Sequence, residues 1–292
     1  MDESTRSCLD IAQRLQSGAL SPQVALMQML IATEDVACVE RALALAPASV
    51  QAELLRLIAD NRAGCERIAA TLRSEQTVRF EALTVEQRLG FQQSLFDELV
   101  GQSEEASVAL YSLGSPQILA AATDEIVAWL EASALLSPSA CVLDVGCGIG
   151  RMELALSTRV ARIAGIDLSA KMIEAARRRC AALSNVAFHQ VDGRDLSLFG
   201  AQSFELVLAV DSFPYVVAAG EALVDTMFAE AARVLVPGGH FALLNYAYRD
   251  DSARDRDEVG ALAMRHGLEA RVLGERVFSL WDGAVFLLRA PN

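Results

Sequence analysis

The run Val142-Leu143-Asp144-Val145-Gly146-Cys147-Gly148-Ile149-Gly150-Arg151 decides the fold. Its first half is apolar and rich in β-branched residues, as a buried strand requires, and Pro138 marks where the preceding helical period ends. Glycines at alternate positions then allow a tight turn and let a ligand approach the backbone closely. The residues after Gly150 read as the start of a helix. Strand, glycine turn and helix in that order open a doubly wound sheet, whose ligands bind at the C-terminal edge of the strands. The spacing is GxGxG and differs from the GxGxxG of dinucleotide binding. Taken alone, it fits a purely structural turn as well as it fits a binding loop.

Outward from this run the same alternation continues. Short β-rich segments at 162–166, 186–189, 206–210 and 241–244 are separated by helical stretches at 170–182 and 222–235. Strands alternating with helices predict a mostly parallel sheet covered on both faces. A polar loop at 248–258, one more helix, and two strands near 270–277 and 284–289 complete the chain, the last two as an antiparallel edge pair. Towards the N-terminus, residues 1–88 read as helix throughout. Ser21-Pro22 is a capped helix start, and Val50, Leu54, Leu57 and Ile58 share one face at helical spacing. The expected organisation is therefore a small all-helical domain over 1–88, serving as cap, dimerisation element or docking module, and an α/β domain over 89–292.

Two acidic residues give the glycine turn a chemical meaning. Asp167 ends the second strand, in Gly165-Ile166-Asp167, where a carboxylate can accept from both hydroxyls of a ribose. Asp192-Gly193 follows the third strand, where the carboxylate suits an adenine amino group and the glycine amide a ring nitrogen. Each aspartate alone is an ordinary cap or turn residue. Successive strand ends, each carrying the group a nucleoside needs, are far more specific.

With these residues in place, the sequence resembles the class I S-adenosylmethionine-dependent methyltransferases over about residues 90–292. The segments LDVGCGIG, IAGIDLS, VDGRDL, FELVLAV and ARVLVPGGHFALL match that family's ordered motifs. The resemblance implies an α/β, Rossmann-like, doubly wound, mostly parallel seven-stranded sheet with an antiparallel edge strand, preceded here by the small all-α domain. It implies S-adenosyl-L-methionine as cofactor and S-adenosyl-L-homocysteine as product. Gly146, Cys147, Gly148 and Gly150 would present backbone to the methionine part. Asp144 would support the loop or the amino group. Asp167, with Leu168 beside it, would hold the ribose, and Asp192 and Gly193 the adenine. Ala209 and Val210, ending the fourth strand, would border the methionine amino group or the acceptor. Pro237-Gly238-Gly239 is expected as the turn before the fifth strand.

The bulk properties narrow the partners. Formal charge is −13 with 53% hydrophobic residues, so the surface repels a phosphate backbone while the chain has ample core. The six cysteines and three histidines form no paired ligand spacing, which argues against a structural metal. The N-terminus has no signal-peptide pattern and no apolar run approaches a membrane span, so a cytoplasmic protein without membrane or nucleic-acid partners is expected. A homodimer through the helical segment is among the roles left open. In Asp211-Ser212-Phe213-Pro214-Tyr215, after the fourth strand, Asp211 is the candidate base or substrate anchor and Tyr215 a pocket-lining residue. The segment departs from the (N/D/S)PP(Y/F) motif of nucleic-acid amino methyltransferases, which favours a small-molecule acceptor with an oxygen, nitrogen or carbon nucleophile. Asn245, Tyr246 and Tyr248 follow the fifth strand and also face this region. The competing readings are a non-catalytic cofactor-binding protein working through its helices and a nicotinamide-dependent oxidoreductase.

Overall fold

The computed structural model describes residues 2–74, 83–249 and 251–292; the part of the expected helical segment at 75–82 lies outside them. Among the described residues no helix is long and apolar enough to cross a membrane.

The chain opens with α1 (Glu3–Gln16), α2 (Pro22–Thr33), α3 (Val36–Leu43) and α4 (Ala48–Ser74). Their starts are set by local chemistry. The Ser21 hydroxyl accepts from the Val24 amide at 3.2 Å with Pro22 in the first turn, and Asp35 accepts from the Ala37 and Cys38 amides at 2.7 and 3.2 Å. Then follow α5 (Val85–Gln102), α6 (Glu104–Val108), a 3₁₀ turn at Leu110–Ser112 and α7 (Pro116–Ala132).

The chain divides into two compact units, and not at a single point. The sequence suggests one boundary after residue 88, but Leu99–Ala122 and Phe278–Asp282 group with the helices of Met1–Val78, while Arg79–Glu98 groups with the sheet. The reason is burial of particular side chains. In the helical unit Tyr111 stacks on Trp281 at 5.9 Å and the Ser21 hydroxyl donates to the Leu280 carbonyl at 3.2 Å. In the sheet unit Leu89 joins the main apolar core and the Gln92 amide donates to the Tyr215 carbonyl at 2.9 Å. Linear reading misses this because amphipathic helices signal that they have a buried face without naming what covers it.

The sheet unit contains β1 (Cys141–Val145), α8 (Arg151–Leu156), β2 (Arg162–Asp167), α9 (Ala170–Arg179), β3 (Val186–Gln190), β4 (Phe204–Val210), α10 (Phe213–Ala219), α11 (Glu221–Val234), β5 (Leu235–Leu244), α12 (Ser252–Arg265), β6 (Glu269–Glu275) and β7 (Val285–Arg289). The strand order is β3-β2-β1-β4-β5-β7-β6. β1 to β5 are parallel neighbours, and β7 runs antiparallel to both β5 and β6. This is the seven-stranded, mostly parallel sheet expected, with the last two strands as the antiparallel edge pair. The order reverses at β1/β4, where the C-terminal strand ends open a crevice.

Two local expectations change. Pro237-Gly238-Gly239 lies inside β5 rather than before it: pairing with β4 jumps from Phe204↔Leu235 to Leu206↔His240, so the three residues bulge out of a continuing strand. The polar loop also ends earlier than residue 258. Asp251 caps α12 through the Arg254 amide at 3.0 Å, and the Arg254–Glu258 ion pair at 2.8 Å runs along its first turns. A charged segment reads as loop until such one-turn pairs are recognised.

Candidate functional site

The glycine turn closes on β2 through its backbone. The amides of Gly146 and Cys147 both donate to the Ile166 carbonyl, at 2.8 and 2.9 Å. Gly146 has φ 75°, and a Cβ there would lie 2.3 Å from the Ser212 Cβ. Ser212 seals this contact by donating its hydroxyl to the Val145 carbonyl. A Gly146→Ala variant therefore combines left-handed strain of about 1–2 kcal/mol with a clash against the β4 loop. Its expected result is a melting temperature lowered by several degrees. Adding Ser212→Gly should restore part of the loss, and an unchanged single variant would remove the packing argument.

Asp167 is the next layer. Its Oδ2 accepts from the Gly148 amide at 2.9 Å and its Oδ1 from the Ser169 amide at 2.9 Å, so one carboxylate ties the glycine turn to the entry of α9. Burial pushes this carboxyl up to about 6, opposed by those backbone hydrogen bonds and reinforced by the nearby Asp97 charge. Leu168 lies over Gly193, where a Cβ would come 2.4 Å from the Leu168 Cδ2 and 3.4 Å from the Leu89 Cδ2. The neighbouring Asp192 is exposed, accepting from the Arg194 amide at 3.1 Å. Gly193 is thus closely packed by leucine side chains at the end of β3, with an exposed carboxylate beside it.

Beneath the turn lies a group of buried carboxyls. Asp144 is 2% exposed and Glu153, on α8, is 0% exposed. Among the described residues, Asp144 Oδ1 and both Glu153 oxygens have no hydrogen-bond partner. Burial raises Asp144 to about 7, against the pull of Arg151 and helped by the Asp167 charge. Burial also holds Glu153 well above the usual carboxylate range, with the Asp144 charge second. The sheet register explains how Glu153 arrives there. Asp144 pairs with Gly165, and the missing side chain at 165 leaves its place to the Glu153 carboxyl, 2.3 Å from where that Cβ would be. Cys147 is buried against the same group, its thiol pushed well up by burial and then by Glu153, so it serves packing rather than nucleophilic chemistry.

The ends of β4 and β5 form the other side. Ala209 is fully buried in the core and Val210 nearly so, so the strand end offers backbone rather than those side chains. Asp211 Oδ1 accepts from the Asn245 amide group and from the Tyr248 hydroxyl, each at 2.8 Å. Crowding of its hydroxyl end, and then the Asp211 charge, hold the Tyr248 phenol well above its ordinary value. Tyr215 meets Tyr248 edge-on at 5.8 Å. Tyr246 does not join them: it is buried and stacks on Phe213 at 5.7 Å.

Residues 142–239 match the methyltransferase domain family (Methyltransf_25). Over those residues the chain is similar to a class I S-adenosylmethionine-dependent methyltransferase family. It is similar to YqeM of Bacillus subtilis (strain 168), which is named as a methyltransferase, with 27% identity over 173 residues covering 56% of this chain and 68% of that protein. It is also similar to the demethylmenaquinone methyltransferase of Tropheryma whipplei (strain Twist), with 33% identity over 107 residues covering 37% and 42% of the two chains. The chain thus spans less than half the length of that second relative. Among solved structures, phosphoethanolamine N-methyltransferase 1 of Haemonchus contortus superposes with a TM-score of 0.56 at 17% identity, over 72% of this chain and 50% of that one. That likeness shows the fold.

Three parts of the sheet unit's site carry no signal in the sequence. Glu153 reads as an ordinary helical glutamate, and only the β1–β2 register turns it inward. Ser212 sits in a motif segment, but its seal on Gly146 depends on β4 lying beside β1. Asp97, on α5, accepts from the Ser169 hydroxyl and from the Lys171 amide, the latter at 3.1 Å, and so braces the start of α9. The pattern of a capping serine before α9 is legible; its second partner, far upstream in the chain, is not.

Proposed function

We propose that this protein is an S-adenosylmethionine-dependent methyltransferase acting on a small-molecule acceptor. The observation that carries the reading is Asp167, whose carboxylate joins the glycine turn to the α9 entry at the β2 end. The residues fit the cofactor: a glycine turn with left-handed backbone at Gly146, Gly148 and Gly150, leucine side chains packed against Gly193, and a buried Asp144 oxygen without a partner among the described residues. When bound, S-adenosylmethionine supplies a sulfonium-activated methyl group for in-line displacement by a nucleophile. Gly146, Cys147, Gly148 and Gly150 would present backbone to its methionine part, with Asp144 beneath. Asp167 would take the ribose hydroxyls with the acceptor capacity left on its oxygens. Leu168 and Gly193 would hold the base, with Asp192 at the rim. Asp211 and Tyr215 would orient the acceptor and exclude water, and positioning is the main contribution such a reaction asks of the protein. The acidic balance of the chain supports a small molecule over nucleic acid.

Calorimetric titration with S-adenosylmethionine, S-adenosylhomocysteine and NAD tests this. Micromolar binding of the first two is expected. Binding of NAD alone, or of none of the three, would sink the proposal.

A further inference from the structure

Asp144 of β1 has a glycine as its neighbour on β2, and a side chain from elsewhere takes the space. It pairs in register with Gly165, and the Glu153 carboxyl of α8 lies where a side chain at 165 would begin. Register partners on parallel strands face the same side of the sheet, about 4.8 Å apart. The two carboxyls are therefore neighbours beneath the glycine turn. Cys147 closes the gap from above, its Cβ and Sγ 2.9 and 3.0 Å from the same point. Both carboxyls are buried.

Asp144 Oδ1 and both Glu153 oxygens have no hydrogen-bond partner among the described residues. Buried polar groups are nearly always paired, so an orphaned pair calls for a reason. Two adjacent carboxyls in an apolar site do not both ionise. Their surroundings decide which one keeps its proton. The groups facing the pair are Arg151 on α8, Asp167 at the β2 end, Cys147 in the turn and Cys180 at the end of α9. Arg151 favours the ionised form of Asp144, whereas the charges acting on Glu153 are those of Asp144 and Asp167. Glu153 thus holds an O–H donor without an acceptor, beside an Asp144 oxygen that can accept and has no donor.

We propose that Glu153 is a positioning residue for cofactor binding: its O–H turns to Asp144 when the α-ammonium of S-adenosylmethionine draws Asp144 into the ionised state, and the pair then presents one hydrogen-bonded negative charge to that ammonium. One proton leaves Asp144 for solvent, and Glu153 keeps its own. This rests on the methyltransferase reading above and adds a residue and a linked proton to it. Burial raises Asp144 to about 7 in the free chain, and a cation beside it favours its charged form, so binding expels a proton below that pH. The orphaned Glu153 carboxyl costs stability in the free chain and is used in the bound one.

The test titrates the full-length parent, Glu153→Met and Glu153→Gln at pH 7 with S-adenosylhomocysteine and with its analogue lacking the α-amino group. Methionine fills the space without a donor, and glutamine keeps one. Glu153→Met is expected to weaken S-adenosylhomocysteine binding about tenfold, the scale of one hydrogen bond to a charged group, and to change binding of the deaminated analogue less than about threefold. Glu153→Gln should restore most of the loss. Calorimetry of the parent at pH 6.5, in buffers of different ionisation enthalpy, should show more proton release with S-adenosylhomocysteine than with the analogue. Both probes carry the ribose that Asp167 would take, so the difference isolates Asp144. Ligand-free melting curves verify that each variant folds. Unchanged S-adenosylhomocysteine affinity in Glu153→Met, an equal loss for both probes, no rescue by glutamine, or equal proton release overturns the inference while leaving the methyltransferase reading intact. A parent chain that binds neither probe sinks both.

Discussion

An Asp167→Ala variant is expected to bind S-adenosylhomocysteine at least a hundredfold more weakly than the parent chain. The carboxylate accepts from the Gly148 and Ser169 amides, both at 2.9 Å. Hydrogen bonds to a charged group contribute about 1.5–3 kcal/mol each, and a hundredfold loss in affinity corresponds to about 2.7 kcal/mol. Truncation removes the tie between Gly148 and the α9 entry together with the proposed ribose acceptor, while the backbone bonds to Ile166 remain. Asp167→Asn should fall between the two, because its amide oxygen still accepts while its NH₂ opposes a backbone donor. Burial has already moved this carboxyl up to about 6, so parent affinity should decline as pH falls through that value. Affinity in the alanine variant within threefold of the parent would remove Asp167 from the site.

The second large effect concerns stability. Replacing Glu153 by Met should raise the melting temperature of the ligand-free protein, and more at pH 8 than at pH 5. Glu153 is fully buried, and both its oxygens lack partners among the described residues. Its carboxyl is held well above its ordinary value by burial and by Asp144. A carboxyl raised in the folded state contributes most below its unfolded value, near pH 4.5, and loses that contribution as pH rises towards the folded value. The unfolded chain releases the proton while the folded chain keeps it. Across that window the cost grows by at most about 1.4 kcal/mol per pH unit. Methionine has a similar length, needs no partner and removes the titration. With roughly 2–4 °C per kcal/mol for a chain of this size, a gain of several degrees at pH 8 is expected. Asp144, raised to about 7, adds a loss of the same sign that the variant retains, so its melting curve should still fall between pH 5 and 7. A gain that is absent at pH 8, or equal at both pH values, would show that Glu153 finds a partner in solution.

The Glu153 case marks where sequence reading stops. The glycine turn, Asp144, Asp167, Asp192 and Gly193 are legible because each belongs to a strand end or turn, and turn chemistry depends on nearest neighbours along the chain. The same holds for the Ser21 cap, the alternation of strands and helices and the edge pair. A helical glutamate such as Glu153 has the signature of a solvated face, and its burial follows from a glycine on another strand.

The sequence by itself determined the order of elements, the doubly wound class of sheet and the carboxylates at successive strand ends, since these follow from periodicity, β-branching and glycine placement. Only the tertiary structure decided the rest. Sheet order brought Asp211, Asn245 and Tyr248 together from the ends of two strands, and register gave Glu153 the space at Gly165. Burial of Tyr111 and Trp281 assigned separate stretches of chain to the helical unit. Each depends on which apolar surfaces cover one another, and the hydrophobic effect that drives this is non-directional. A local pattern records that a face must be buried; the partner that buries it is chosen in three dimensions.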